Sequence, residues 1–288
     1  MSKISVVINT FNEAINLPRA IASIKSLADE IVVCDMQSTD NTVEIAKKLG
    51  AKVYTHKYMS YVEPSRNFAI SKANGDWIFV LDADEELPNS LISRLKKFVK
   101  NPTADYYRIS RKNIIFGKWI KHSRWWPDYN IRLFRKGFVS WDEEIHSVPK
   151  TTGKGMDLPD KENFAIIHHN YSSIGDYLER MLRYSDIQSK DLMKNGYVFS
   201  WNDLIRKPLG EFLSRFFVGE GYKDKIHGLV LSSLQAFSEF VLYLRIWEKQ
   251  GFKDENISNN DFSKEFERVI KEFKWWLRKK FSFFFKFF

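Results

Sequence analysis

Two carboxylates, Asp82 and Asp84, lie one residue apart directly after the apolar run 77–81. Carboxylate oxygens are preferred ligands of Mg²⁺ and Mn²⁺. A cation held there would neutralise a diphosphate and stabilise it as a leaving group. The alternative is an acidic turn that opens the helix after Pro88, because carboxylates also stabilise helix N-termini. The position at a strand end, with two further polar segments elsewhere, favours the metal site.

Strand and helix patterns alternate through residues 1–100, with short loops between them. Strand patterns at 4–9, 30–35, 52–55 and 77–81 are separated by segments whose apolar residues recur at helical spacing. This alternation is typical of a parallel sheet with helices on both faces. We therefore predict an α/β fold with a Rossmann-like nucleotide-binding sheet.

Polar residues follow three of these strands, in the segments 9–13, 35–40 and 82–86. Because ligands bind beyond the carboxyl ends of parallel strands, we expect these segments to converge on one edge of the sheet. Asp35 can accept the imide N–H of a uracil, since an ionised carboxylate only accepts hydrogen bonds. Its alternative role, which we favour for Asp40, is to cap the turn and helix that follow.

The second half of the chain changes to aromatic, strand-like runs and then to helical patterns. The runs 106–109, 131–134 and 164–167 predict an antiparallel edge of the same domain. We predict three regions: a catalytic domain at 1–172, a helical region at 173–250 that packs on this domain near the membrane, and a basic aromatic tail at 251–288.

Cysteine usage and hydropathy bear on the compartment. Cys34 is the single cysteine, which excludes an internal disulfide and fits a reducing compartment. The N-terminus is too short and polar for a signal peptide, and no stretch reaches the roughly 18 to 20 apolar residues of a membrane span. The nearest approach, 229–244, contains Gln235, Ser238 and Glu239. We predict a cytoplasmic protein, peripheral on the inner face of the cell membrane.

The net charge of +9 is uneven along the chain. Residues 271–288 contain six Lys or Arg and nine aromatic residues, against the single acidic residue Glu272. Such a mixture suits the headgroup region of an anionic bilayer. The alternative is a terminal helix docked on the domain. No nucleic-acid-binding motif accompanies the charge, so we expect no nucleic-acid partner.

Three segments together resemble the signatures of family 2 glycosyltransferases in order and spacing: VINTFNE at 7–13, DMQSTDNT at 35–42 and LDADE at 81–85. The segment 66–69, RNFA, looks like the helix that precedes the acidic motif in that family. The chain is most similar to the branch containing lipopolysaccharide-core β-1,4-glucosyltransferases, through 132–134, 145–146, 177–184 and 219–228. The resemblance extends to about residue 250.

This resemblance implies a GT-A fold and the inverting transfer of a sugar from a nucleotide-diphosphate sugar, with a UDP-sugar favoured. The acceptor would be a glycan or lipid-linked molecule of lipopolysaccharide or cell-surface polysaccharide synthesis. The implied roles are that Thr10, Phe11 and Glu13 border the nucleoside, Asp35 bonds the base, Asp82 faces the donor ribose or the metal, Asp84 ligates Mg²⁺ or Mn²⁺, and Arg66 supports the diphosphate or orients the acidic motif.

One residue departs from the family pattern, and one histidine adds a candidate metal ligand. Asn9 stands where the family usually has proline, which changes the turn. Many GT-A enzymes use a late histidine as a further metal ligand, and neutral imidazole can bind Mn²⁺. The resemblance therefore implies His168, or else its neighbour His169, as a ligand. A hydrogen-bonded structural histidine is the alternative.

An inverting transferase needs a base that takes the proton of the acceptor hydroxyl. Relatives in this branch show a His-Glu pair after Arg-Leu-Phe, but here Ser147 follows His146. We place Glu144 first, because residues two apart in an extended chain lie on the same face, as Glu144 and His146 would. Glu143 and His146 itself remain open, and the alternative is a charged turn between edge strands.

Tryptophans at 119, 125 and 126 lie between the donor motifs and these base candidates. Aromatic faces stack on sugar rings, and indole N–H groups bond to hydroxyls. We predict an acceptor set of Trp125, Trp126 and Arg132. Core packing or a lipid-facing lid would explain the same tryptophans.

A nucleotidyltransferase and an inactive scaffold are the two alternatives to the transferase. A nucleotidyltransferase calls for a glycine-rich phosphate loop after the first strand, and 9–16 contains no glycine. A catalytically inactive peripheral membrane scaffold with the same fold would explain the absence of Glu at Ser147. The intact acidic motifs oppose that hypothesis.

Overall fold

The structure is a computed structural model that describes residues 2–59, 63–141 and 149–280. The chain forms two compact units. The first consists of Met1–Ile114 and Pro127–Asn170, and the second of Ile115–Trp126 and Tyr171–Phe288. The second unit thus takes in a short segment from the middle of the chain in addition to its C-terminal helices.

The first unit is built on four parallel strands, arranged in the order β3-β2-β1-β4. They are β1 (Ile4–Thr10), β2 (Glu30–Asp35), β3 (Lys52–Thr55) and β4 (Trp77–Asp82). The helices among them and after them are α1 (Leu17–Ile24), α2 (Thr42–Lys48), α3 (Glu63–Ser71) and α4 (Asn89–Lys100). Each helix crosses from one parallel strand to the next, except α4, which leads into the rest of the sheet.

Beyond β4 the sheet becomes mixed and continues in the order β8-β6-β12-β5. The remaining strands are β5 (Glu85–Glu86), β6 (Tyr106–Ile115), β7 (Lys118–Trp119), β8 (Asp128–Arg135), β9 (Val139–Ser140), β10 (Lys150–Thr151), β11 (Gly155–Asp157) and β12 (Ile166–Tyr171). Strand β8 pairs antiparallel with both β4 and β6, and β12 pairs antiparallel with β5. The aromatic runs therefore form the antiparallel edge that the sequence predicted.

Apolar side chains cover both faces of the parallel strands. Successive residues of β1 alternate between the faces, so Val6 and Ile8 pack with α1 and α4 while Val7 packs with α3. All seven residues of β1 are buried, which fits its largely apolar sequence, and its polar residues Ser5, Asn9 and Thr10 are buried as well. The α/β class predicted from the sequence is confirmed.

The strand register brings the polar strand ends together. Asn9 of β1 lies opposite Asp82 of β4, and Thr10 of β1 lies opposite Asp35 of β2. On the antiparallel side, His168 of β12 lies opposite Glu85 of β5. Residues far apart in sequence thus meet at the carboxyl edge of the sheet.

The second unit is helical after residue 173. Its helices are α5 (Ile174–Lys194), α6 (Asp203–Leu213), α7 (Ile226–Lys249) and α8 (Asn259–Lys280). A π-helical turn at Ser214–Val218 and a 3₁₀ turn at Gly221–Asp224 join α6 to α7. Tyr177 of α5 accepts a hydrogen bond from Gln235 of α7 at 2.7 Å. A buried glutamate of α8, Glu265, binds Arg206 of α6 through both carboxylate oxygens.

Within the described ranges, α7 is the one helix long and apolar enough to cross a membrane, judged by length and composition only. The sequence predicted no membrane-spanning helix here, because polar residues interrupt the apolar stretch 229–244. In the qualifying stretch 28% of residues are buried, while the buried positions Leu231, Leu242 and Ile246 pack inside the second unit. Because core helices of other proteins meet the same criterion, hydropathy alone does not assign α7 to a membrane.

A glycine permits the close approach of α7 to the turn before it. A Cβ at Gly228 would lie 1.7 Å from the carbonyl oxygen of Gly221. We expect Gly228→Ala to lower the free energy of unfolding by about 1–3 kcal/mol, because the backbone must shift to admit the methyl group. Urea unfolding followed by circular dichroism measures this loss.

Gly210→Ala is the matched control, since nothing lies within 4 Å of a Cβ at that position in α6. There the substitution should raise stability by about 0.5–1 kcal/mol, because alanine favours a helix interior. Equal effects of the two substitutions would contradict the packing role of Gly228.

Candidate active site

The carboxylate of Asp82, at the end of β4, is held by two arginines. Arg66 on α3 donates to its Oδ1 at 3.2 Å, and Arg132 on β8 donates to its Oδ2 at 2.8 Å. Burial by itself would raise the pKa of Asp82, but the charges of Arg132 and Arg66 outweigh this effect and lower the pKa well below the usual range. Asp82 is therefore ionised and held in one orientation at neutral pH.

Glu85 completes this arrangement, and the sequence analysis assigned it no role. Its carboxylate is fully buried, accepts the backbone N–H of Asp82 at 3.0 Å and binds Arg132. Burial raises the pKa of Glu85, and the charge of Arg132 opposes that rise. The signal in the sequence was a third acid directly after the acidic pair, which looked like part of a solvated turn.

Arg132 lies inside the sheet, with only 2% of its surface exposed. Its guanidinium joins Asp82 to Glu85, and these carboxylates raise its pKa against the effect of burial. A side chain enclosed in this way has no surface to offer to an acceptor sugar. We therefore assign Arg132 to the support of the acidic motif, in place of the acceptor binding predicted from the sequence.

Asp84 and His168 lie side by side. His168 Nε2 is 3.4 Å from Asp84 Oδ2, and both residues are more than nine-tenths buried. His169 points to the opposite face of β12, where its Nε2 is 3.4 Å from Glu86 Oε1. The strand pleat thus selects His168, of the two neighbouring histidines, as the one beside the acidic motif.

The donor set at Asp84 and His168 fits a divalent cation. Two ligands at about 2.1 Å from one ion are typically about 3.0–3.4 Å apart, which matches the observed separation. Within the described parts of the chain, no group of three or more His, Cys, Asp and Glu side chains is placed to hold a metal. Mg²⁺ is commonly held by one or two protein ligands together with substrate phosphates, and two protein ligands suit that mode.

Asp35 ends β2 and is held from two sides. Its Oδ1 accepts from Thr10 Oγ1 at 3.2 Å and from Ser38 Oγ at 2.5 Å, while its Oδ2 accepts the backbone N–H of Ser38 at 2.9 Å. The turn passes through Gln37, whose φ of 64° is unusual for a residue with a Cβ. Asp35 therefore caps its turn, and its Oδ2, which accepts only one hydrogen bond from Ser38, can accept a further one.

The loops after β1 and β2 are bonded to each other. Asn12 accepts the backbone N–H of Thr39 at 2.8 Å, and the backbone N–H of Glu13 donates to Thr42 Oγ1 at 2.8 Å. Asp40 accepts from the backbone N–H groups of Thr42 and Ala14, which is the capping role predicted for it. The two loops thus form one rim of the site.

Aromatic and amide contacts complete the described part of this rim. The ring of Phe11 lies 4.5 Å from that of Tyr58, with the planes tilted by 50°. Asn9 Nδ2 donates to Ser65 Oγ at 2.9 Å, so this residue connects β1 to α3 where the family usually has proline. The guanidinium of Arg66 lies 5.3 Å from the ring centroid of Trp141.

The candidate bases Glu143, Glu144 and His146 lie outside the described residues. The last described residue before them, Trp141, is fixed to α3 by Asn67. Asn67 Nδ2 donates to the Trp141 carbonyl at 2.6 Å, and the Trp141 N–H donates to Asn67 Oδ1 at 3.0 Å. The chain therefore enters the base segment next to Arg66.

The predicted acceptor tryptophans belong to the second unit. Trp125 packs in a small core with Ile115, Ile120 and Leu231, and the guanidinium of Arg215 lies 5.6 Å from its ring centroid. The rings of Trp119 and Trp126 meet edge to face, 5.2 Å apart. Core packing, one of the alternatives considered for these residues, is thus observed for Trp125.

Comparison with known proteins identifies the family. A sequence model described as Glycosyl transferase family 2 matches residues 5–152. An uncharacterized glycosyltransferase of Rickettsia typhi is 34% identical over 270 residues, covering 91% of this chain and 92% of that protein. The lipopolysaccharide core biosynthesis glycosyltransferase LpsC of Rhizobium meliloti is 22% identical, with 87% and 94% covered. The chain belongs to glycosyl transferase family 2.

The protein is therefore a glycosyltransferase, and membership of the family confirms the GT-A fold class that the motifs implied. It also favours the enzyme over the inactive scaffold. Among solved structures, S. aureus TarS 1-349 in complex with UDP-GlcNAc is similar, with a TM-score of 0.47 and 15% identity over 89% of this chain and 95% of that one.

Removal of the buried arginine tests the charge arrangement. We expect Arg132→Met to lower the free energy of unfolding by about 3–5 kcal/mol, because it leaves the buried Glu85 and the partly exposed Asp82 without their shared cation. Chemical denaturation at neutral pH measures the loss.

The matched control is Arg135→Met on the same strand, where the ion pair with Asp105 is partly exposed. That change should stay within about 1 kcal/mol. A loss at position 132 no larger than at 135 would show that the buried pairing contributes little.

Proposed function

We propose that this glycosyltransferase is inverting and metal-dependent, and that it moves a sugar from a UDP-sugar to a glycan or lipid-linked acceptor of lipopolysaccharide or cell-surface polysaccharide synthesis. The observation that carries the proposal is the pair Asp84 and His168 beside the arginine-held Asp82, at the edge where the nucleotide-binding loops end. The relationship to LpsC supports the choice of pathway class.

Asp84 and His168 would hold Mg²⁺ or Mn²⁺, and the donor diphosphate would complete the coordination. The cation would supply charge neutralisation for the departing diphosphate. Asp82 keeps 29% of its side chain exposed, so we assign it to the donor ribose. Arg66 lies beside it with a planar group suited to phosphate.

The base of the donor would lie on the rim formed by the loops after β1 and β2. Asp35 Oδ2 has one accepting site left for a uracil N–H, and the carboxylate orientation is fixed by Thr10 and Ser38. The paired rings of Phe11 and Tyr58 offer an aromatic surface on the same rim. These features support a pyrimidine nucleotide as the donor.

Inversion follows from a single displacement. The acceptor hydroxyl oxygen attacks the anomeric carbon, the bond from that carbon to the diphosphate oxygen breaks, and UDP leaves with the bonding electrons. A base takes the hydroxyl proton. Glu144 stays our first candidate, with Glu143 and His146 next, because residues two apart in an extended chain lie on the same face, as Glu144 and His146 would.

A thermal-shift experiment tests the donor and cation sites together. In wild-type protein, UDP with Mn²⁺ at one hundred times its dissociation constant should add about 2.7 kcal/mol of stability. Asp84→Asn should abolish the part of this gain that depends on Mn²⁺, because a neutral amide is a poor ligand for a hard cation. Transfer activity should disappear with a chelator and in the variant.

Asp157→Asn is the control, since Asp157 forms an exposed ion pair with Arg108 on the strand surface. It should keep the full Mn²⁺-dependent gain. Stabilisation by UDP that is the same with and without Mn²⁺ would contradict the metal dependence. Parallel samples with GDP and dTDP identify the base.

We also propose that the enzyme binds the anionic inner face of the cell membrane through α8 and the tail. The apolar residues Phe262, Phe266, Ile270 and Phe273 follow one face of α8 and are all exposed. Exposed basic residues occupy other positions around the same helix: Lys264, Lys271, Lys274, Arg278 and Lys279. The residues 281–288 of the predicted tail lie outside the described ranges.

The helix is docked beside this row, and Phe262 and Phe273 of the row also meet the rings of Trp201 and Phe217. Glu265 is buried against Arg206, and Trp276 stacks on Phe217 with ring centroids 6.1 Å apart. Docking of the helix, one of the two alternatives from the sequence, is observed, and the docked helix still presents exposed apolar side chains and positive charge. Such a surface suits the headgroup region of an anionic bilayer.

Vesicle sedimentation tests this surface. Phe266→Glu should weaken binding to vesicles that contain phosphatidylglycerol by at least about tenfold, because burying one phenylalanine contributes about 1.5–3 kcal/mol. Phe252→Glu, at a similarly exposed position before α8, is the control and should bind like wild type. Equal vesicle binding by both variants would contradict membrane binding through the apolar row of α8.

A further inference from the structure

Asn113 is a fully buried residue of β6 that connects His168 to a second carboxylate. Its Oδ1 lies 2.6 Å from His168 Nδ1, and its Nδ2 lies 3.2 Å from Asp128 Oδ2. Both ends of the amide are therefore in hydrogen bonds. No role in the proposed reaction has so far been given to Asn113 or Asp128.

Asp128 decides which way the amide faces. The same Oδ2 atom accepts from Arg111 Nε at 2.7 Å. Burial would raise the pKa of Asp128, but Arg111 and Asn113 outweigh burial and lower it, so the carboxylate is ionised. An ionised carboxylate only accepts hydrogen bonds, so Asn113 must present its NH₂ group to Asp128. Its carbonyl oxygen then faces His168.

The direction of this hydrogen bond shows that Nδ1 of the imidazole carries a hydrogen. A carbonyl oxygen cannot donate, so His168 Nδ1 must carry the hydrogen that bridges the 2.6 Å distance. In the neutral ring, Nε2 is then the nitrogen with the lone pair, and it is the atom that lies 3.4 Å from Asp84 Oδ2. Two acceptor atoms thus face each other, as two ligands of one cation do.

We propose that Asn113 is a positioning residue that holds His168 in the Nδ1–H tautomer, so that Nε2 and Asp84 together bind a divalent cation. Arg111 and Asp128 act through Asn113 by fixing its amide. The cation rests on the proposed function, whereas the hydrogen on Nδ1 follows from the hydrogen bonds alone. Partners of this kind typically change metal affinity by about 10–100-fold when they are lost.

The tautomer can be measured without metal or donor. A long-range ¹H–¹⁵N correlation spectrum of the imidazole rings at neutral pH distinguishes the two nitrogens, and His168→Gln identifies the signals of that ring. The expected wild-type result is a protonated Nδ1 with an unprotonated Nε2. A wild-type ring protonated at Nε2 would overturn the proposal. Because this measurement uses wild-type protein, it does not depend on whether the Asn113 variants fold.

Metal binding supplies the second readout. In the presence of UDP, Asn113→Ala should bind Mn²⁺ about 10–100-fold more weakly by electron paramagnetic resonance, with UDP binding in the absence of Mn²⁺ unchanged. Asn74→Ala is the control, because it removes a hydrogen bond to Glu30 at the start of β2, at the opposite end of the strands from the acidic motif.

The outcomes separate the two proposals. Wild-type affinity for Mn²⁺ in Asn113→Ala would overturn the positioning role. A wild-type protein that shows the expected tautomer but binds no Mn²⁺, with or without UDP, would overturn the proposed metal dependence while supporting the direction of the hydrogen bonds.

Discussion

The ion pairs of the enclosed Arg132 guanidinium with Asp82 and Glu85 are the interaction on which the carboxyl edge of the sheet depends. A charge removed from water costs several kcal/mol unless it is paired and hydrogen-bonded, so Arg132 requires both carboxylates. These three residues come from β8, from the end of β4 and from β5. Their pairing therefore fixes the turn that contains Asp84 against the antiparallel part of the sheet.

In this mixed sheet, the parallel and the antiparallel strands contribute different residues to the site. The parallel strands end in the loops that carry Thr10 and Asp35, which suit a nucleoside. The antiparallel strands bring Arg132, Asn113 and His168 to the same edge from the far side of β4. A purely parallel arrangement would provide the nucleotide rim without the histidine beside the acidic motif.

The arginines give the two acids of the motif different surroundings. Asp82 is oriented by two guanidinium groups, whereas Asp84 lies beside an imidazole whose far nitrogen is bonded to an amide. A hard cation is attracted to a carboxylate and an imidazole lone pair but repelled by nearby guanidinium groups. The neighbouring acids can therefore serve different parts of one donor molecule. The outward-facing apolar row of α8 is independent of this chemistry and belongs to the second unit.

The sequence by itself determined the strand and helix alternation of the first unit, the polar strand ends and the family, because hydrophobic periodicity and short motifs are local properties. Only the tertiary structure decided which of two adjacent histidines accompanies Asp84, since the strand pleat and the register with β5 make that choice. It also moved Arg132 from the acceptor set to the interior and gave a role to Glu85. Burial and long-range pairing set those roles, and neither is written in the spacing of residues along the chain.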